Sequence, residues 1–238
     1  MSRAARLACL VAGLALLLLV LAGPTYRMGL LSLPNAFALL RWGAYAGVAA
    51  LAFGLAVAIW AYRRGSTRNA ALAAGAAIAG LIAFVVPYQW QRTAQRVPPI
   101  HDISTDLENP PAFEAVVPLR ADAPNSLERP PIVAQQQREG YPDLAPITLP
   151  QPPAEVFDRA LAAAQQAGWE IVTADKASGR IEATDTTRWF GFKDDVVVRL
   201  TPWGSGTRVD VRSVSRVGRS DVGTNARRIE QYLEALQS

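Results

Sequence analysis

The chain has 238 residues, 50% of them hydrophobic and 18% charged, with a net charge of +4 and a mean hydropathy of +0.12. The charge is segregated: residues 1–90 hold seven arginines and no Lys, Asp or Glu, so the other 148 residues carry 17 basic and 20 acidic side chains. The basicity therefore comes from arginines flanking apolar segments. This excludes a basic nucleic-acid-binding surface, and the apolar content excludes both a disordered chain and a fully soluble one.

Leu7 to Ala22, Phe37 to Tyr62 and Ala70 to Tyr88 are apolar stretches. A helix needs about 20 apolar residues to cross the hydrocarbon core, which the second and third meet and the first nearly meets. Trp42, Trp60, Tyr62, Tyr88 and Trp90 stand at segment ends, where amphipathic rings favour the headgroup layer. The first stretch reads as an uncleaved helix, with a secretory signal as the alternative, since it has a basic start and a weak cleavage site near Leu21–Pro24. Cys9 stands at the start of the apolar run rather than after it, so a lipoprotein attachment site is rejected. Residues 1–90 thus form a three-helix transmembrane region. Gly43 and Gly47 make a small-residue stripe suited to packing within the three helices or to a homodimer. Arg3, Arg6, Arg63, Arg64 and Arg68 fall on one side and Arg27, Arg41, Arg92 and Arg96 on the other. The arginine excess puts the N-terminus in the cytoplasm and the C-terminal domain outside the inner membrane.

Residues 98–153 hold 13 of the 17 prolines. So Pro-rich a segment argues against regular helix or central strand, and residues 91–152 read as an extended strap. From Pro153 the pattern is regular. Val156, Phe157, Ala160, Leu161 and Ala164 repeat at helical spacing up to Gly168. Strands follow at Trp169–Thr173, Arg180–Arg188, Asp195–Leu200 and Thr207–Val217, the last two joined by a TPWGSG turn with Leu200 opposite Thr207. That register sets Val198 against Val209, Val196 against Val211 and Asp195 against Arg212. Val222, Ala226, Ile229, Leu233 and Leu236 mark a terminal helix capped by Ser220 or Asp221. The expected architecture is a membrane-anchored α+β protein. Three transmembrane helices precede a two-layer domain over residues 153–238, with an antiparallel four-stranded sheet and two helices in the order α-β-β-β-β-α.

The segment 209–229 packs Arg212, Arg216, Arg219, Arg227 and Arg228 among Ser213, Ser215, Ser220 and Thr224, where a strand hands over to a helix. Unpaired N–H groups at a helix start beside arginines make an anion site, with Arg212, Ser215, Arg216, Arg219 and Asp221 as its residues. The alternative is internal: Asp221 caps the helix, and Arg212 and Arg216 pair with Asp195 and its neighbours. No Walker loop is present. His101 is the one histidine, and with Asp102 beside it is a candidate general base. Consecutive strand residues point to opposite faces, however, and no nucleophile elbow occurs. Asp102, Asp106 and Glu108 do not have EF-hand spacing, and one His with one membrane Cys leaves no zinc set. Asp185 falls on a core face, where it needs a cation such as Lys193 or Arg188. Trp189, Phe190 and Phe192 are candidate walls of a pocket there. No cofactor is expected.

PPIHDISTDLENPPAF, FKDDVVVRL and RVDVRSVSRVGRSDVGTNARRI together resemble a bacterial family, domain of unknown function 1499, over roughly residues 95–237. The resemblance implies that the strap belongs to the domain. It places the family signature on His101, Asp102, Ser104, Thr105, Asp106, Asp194, Asp195, Arg212, Ser213, Ser215, Arg216, Gly218, Asp221, Gly223, Asn225 and Arg228. It implies no reaction, ligand or partner. The expected function is a non-catalytic binding or scaffolding module of the bacterial envelope, with an anionic lipid, a glycan or an envelope protein as partner. The alternatives are a hydrolase using His101 and Asp102, or a purely structural domain.

Overall fold

The computed structural model describes residues 1–238 and divides into two compact units: Met1–Thr93 with Trp189–Gly191, and Ala94–Arg188 with Phe192–Ser238. The first unit is three helices, α1 (Arg3–Arg27), α2 (Leu33–Arg63) and α3 (Thr67–Arg96), each long and apolar enough to cross a membrane. They touch through small residues. A Cβ on Gly43 would lie 3.2 Å from the Ala15 carbonyl of α1, and one on Gly47 would lie 2.7 Å from the Gly80 carbonyl of α3. The Gly43/Gly47 stripe is therefore filled within the chain.

The second unit begins with β1 (Asp102–Ser104), a 3-10 turn (Val117–Arg120), α4 (Pro131–Gly140) and β2 (Ile147–Leu149). The strap is thus not simply extended, because residues 132–140 contain no proline and Pro131 occupies the first helical position, where a missing N–H costs nothing. Then come α5 (Pro153–Gln166), β3 (Glu170–Asp175), β4 (Arg180–Thr186), β5 (Lys193–Trp203), β6 (Gly206–Ser215) and α6 (Thr224–Gln237). The sheet has six antiparallel strands rather than four. Its order is β1-β6-β5-β4-β3, with β2 also on the outer edge of β6. The two extra strands come from the strap, and each is three residues long.

The β5–β6 hairpin closes on Gly204 and Ser205, with Trp203 paired to Gly206 and Gly204 at φ 59°. This corrects the register by two residues: Leu200 faces Val209, Val198 faces Val211, Val196 faces Ser213, and Asp195 faces Val214 instead of Arg212. The strand continues through Pro202 because pairing with β4 ends at Arg199, so the missing proline N–H has no ladder to break on that side. A two-residue shift keeps every side chain on its expected face but changes its partners.

One face of the sheet (Ile181, Val196, Val198, Leu200, Val209, Val211) packs on Val156, Phe157 and Ala160 of α5 and on Ile229, Leu233 and Leu236 of α6. The opposite face carries Val197 and Val214, which pack on Phe113 and Val116 of the strap. The strap is therefore a third layer, absent from the two-layer expectation. Two buried polar side chains fix it. The Glu182 carboxylate accepts the N–H groups of Glu114 (2.8 Å) and Val116 (2.9 Å). The Gln137 amide of α4 exchanges hydrogen bonds with the backbone N–H and carbonyl of Ser104.

Candidate functional site

Alternation along β6 turns Arg212, Val214 and Arg216 toward the strap and Ser213 and Ser215 toward the helices. On the strap face Asp195 accepts a bidentate pair from Arg216 (2.8 and 2.9 Å), a bond from Arg120 Nη1 (2.5 Å) and one from Thr184 Oγ1 (2.7 Å). Asp102 accepts a bidentate pair from Arg212 (2.7 and 3.0 Å) and a bond from Arg129 Nη1 (2.9 Å). Most of the remaining guanidinium N–H groups reach carbonyls, chiefly on the strap at Pro111, Leu119, Asn125 and Leu127, while the buried Arg129 Nε has no partner. Burial opposes the Asp195 charge, yet the bonds from Arg216, Thr184 and Arg120 hold its carboxyl below the usual range. Burial lowers the Arg129 guanidinium, with Asp102 opposing and Arg212 adding to the shift. These are closed charge clusters beneath a covering layer.

The helix face carries a second cluster. Arg228 of α6 donates to Asp194 (2.6 Å), Asp185 (2.9 Å) and Ser213 Oγ (3.0 Å), and also to Asn225 Oδ1. Asn225 in turn donates to the His101 carbonyl and to Ser215 Oγ, each at 3.0 Å. Asp185 thus finds a cation in Arg228, 43 residues away along the chain. Trp189 and Phe190 belong to the other unit. An open cleft of about 470 Å³ at Asp185 is lined by Trp169 and Tyr232, stacked with centroids 4.8 Å apart, and also takes in Thr224 and Arg227.

Between β6 and α6 the chain makes a tight loop. Ser220 Oγ accepts the Val222 N–H within the loop, and the Asp221 carboxylate accepts the N–H groups of Gly223 (2.8 Å) and Asn225 (2.9 Å); the N-cap position itself is Gly223, so of the two expected caps only Asp221 reaches a helical N–H, and it does so from two residues before the N-cap. Burial pushes the Asp221 carboxyl up, partly offset by the Asn225 and Gly223 N–H groups. Val222 (φ 54°) and Gly223 (φ 74°) are both left-handed, which is strained for a β-branched valine.

Of the five residues expected to bind an anion, Arg212, Arg216, Ser215 and Asp221 are engaged by groups of the protein itself. Arg219 is exposed, and its guanidinium makes no hydrogen bond or ion pair. The strap motif meets the Arg/Ser segment, since Asp102 lies on the same face as Arg212 and Arg216. His101 makes one ring contact, Nδ1 to the Arg219 carbonyl at 3.4 Å, and none with Asp102. Asp106 is held by Arg208 and Arg199, and Glu108 by Arg138, so each carboxylate of the acidic strap motif already faces a guanidinium. No group of three or more His, Cys, Asp or Glu gathers in metal-binding geometry. Arg120, Arg129, Gln137 and Glu182 were not visible as site residues. Three of them lie in strap segments without periodicity, and Glu182 reads as an outward strand position.

The family model described as "Protein of unknown function (DUF1499)" matches residues 102–236. The chain belongs to this family. The match begins on β1 and ends in α6, so it takes in the strap from Asp102 onward, all six strands and the charged side chains of the three clusters described above. A search of curated proteins finds no match.

Proposed function

We propose that this family member is a membrane-anchored, non-catalytic binding or scaffolding module. Its three helices hold it in a bacterial inner membrane, and the arginine distribution puts the C-terminal domain outside. The partner is an anionic lipid, a glycan or another envelope protein. One observation carries the reading: the groups that would perform acid–base chemistry are already spent on the fold. Asp102 is saturated by Arg212 and Arg129, while the His101 ring faces a backbone carbonyl and no nucleophile. What the domain leaves open at this end is exposed cationic surface at Arg219. The test is a panel of chromogenic ester, phosphate and amide substrates given to the full-length protein and to His101→Ala. Equal, background rates are expected. Turnover that His101→Ala abolishes at unchanged melting temperature would replace this reading with a hydrolase.

A further inference from the structure

We infer that the loop Arg216–Gly223, with Arg96 and Arg227, docks on anionic phospholipid headgroups of the bilayer that holds the third apolar helix. The inference rests on the membrane-anchored reading above and names the partner of its exposed surface. Within the second unit the loop is fastened to the segment arriving from that helix. The Asp221 N–H donates to the Ile100 carbonyl at 3.1 Å, and His101 Nδ1 lies 3.4 Å from the Arg219 carbonyl. A Cβ on Gly223 would lie 3.4 Å from Val97 and 3.2 Å from Arg227 Nη1. Arg96, Arg219 and Arg227 therefore share one end of the domain, with His101 among them.

All three arginines are exposed. Arg96 and Arg219 have no side-chain partner, and Arg227 reaches only the Val222 carbonyl and Thr224 Oγ1. Among the acidic groups nearby, Asp221 is turned inward onto backbone N–H groups, and the opposing charges are Glu230 on α6 and the exposed Asp122, three residues before the Asn125 that bonds the Arg216 and Gly218 carbonyls, against three exposed arginines. The surface is net positive. The chain confines it: Arg96 follows Trp90 by six residues, at most roughly 20 Å of backbone however the units are disposed. Exposed arginines held this close to a bilayer attract anionic headgroups, with a reach set by the Debye length of about 8 Å. The strained Val222 and the capped Asp221 fix the loop's shape, so Arg219 is presented from a rigid turn.

The full-length protein is placed in nanodiscs of phosphatidylcholine alone or with about one third phosphatidylglycerol, and amide exchange of residues 216–223 is followed. At low salt the exchange is expected to slow by about fivefold in the anionic discs, and to return to the phosphatidylcholine rate near 0.5 M NaCl. Arg96→Glu/Arg219→Glu, which breaks no internal bond, should show no slowing in either disc. Equal exchange of the wild type in both discs overturns the inference. So does equal protection in phosphatidylcholine discs given glycerol phosphate, which would assign the site to a soluble anion. Neither result bears on the turnover assay, so the two readings fail separately.

Discussion

Asp102 on β1 and Asp195 on β5 face the same residue, Val214 of β6, from its two sides, and each carboxylate holds two arginines. In each cluster one arginine comes from β6 or the turn after it (Arg212, Arg216) and one from the strap (Arg129, Arg120). The two aspartates therefore tie the covering layer to the sheet. The pairs are buried, with Asp195 fully inaccessible, so water offers no substitute if one is broken.

Replacing Asp195 by Asn keeps the shape and removes the charge. Arg120 and Arg216 then face each other across an amide in a buried site, and breaking one side of such a cluster costs about 3–5 kcal/mol. Thermal melts of the full-length protein should show Asp195→Asn strongly destabilised. Lys176→Ala, which breaks an exposed pair with Asp158, should change stability by less than about 1 kcal/mol. A small effect at Asp195 would mean that the strap is held by its apolar contacts at Phe113 and Val116.

The same carboxylate sets an acid limit. Its folded pKa lies below the unfolded value of about 3.9, so below that pH the unfolded chain binds more protons than the folded one. Its contribution is present in full above pH 4 and is lost as pH falls toward the folded value. Asp221 acts in the opposite sense: its folded pKa is raised, so its contribution is full below the unfolded value and is lost as pH rises from there through the folded value. Melts from pH 6 to pH 3 should show a drop below pH 4 that is shallower in Asp195→Asn. In Asp221→Asn the wild-type offset above pH 4 should disappear. Parallel slopes in all three proteins would contradict both assignments.

The helices and the central strands were legible in the sequence because periodicity reports burial directly. Val156 to Ala164 repeats at 3.6 residues, and Ile181, Val196, Val198, Val209 and Val211 fall on the helix-facing side of β4, β5 and β6 whatever the register. The register itself was not legible. TPWGSG accommodates a six-residue turn as well as the two-residue turn that forms. Three-residue strands such as β1 and β2 are too short to show alternation. The arginine partners were hidden for a different reason. Arg120 meets Asp195 across 75 residues and Arg212 meets Asp102 across 110, so no local pattern records the pairing. Of the arginines beside the helix start, Arg212 and Arg216 are neutralised by Asp102 and Asp195 under the strap, whereas Arg219 is exposed.

The glycines of the membrane unit give the last test. A Cβ on Gly47 would stand 2.7 Å from the Gly80 carbonyl, and a Cβ on Gly80 would stand 2.5 Å from the Gly47 carbonyl, so the two backbones touch with no side chain between them. Backbone cannot swing aside as a side chain would, and the tight approach of α2 and α3 depends on both residues staying small. Gly47→Ile should therefore separate these helices and lower the melting temperature of the membrane unit in detergent. Gly13→Ala, at a site where a Cβ meets nothing within 4 Å, should leave it unchanged. Because Gly47 is engaged within the chain, the molecular mass measured in detergent by light scattering should be the same for wild type and Gly47→Ile. A shift from dimer to monomer in Gly47→Ile, with the melt unaltered, would instead place the stripe at an interface between two copies.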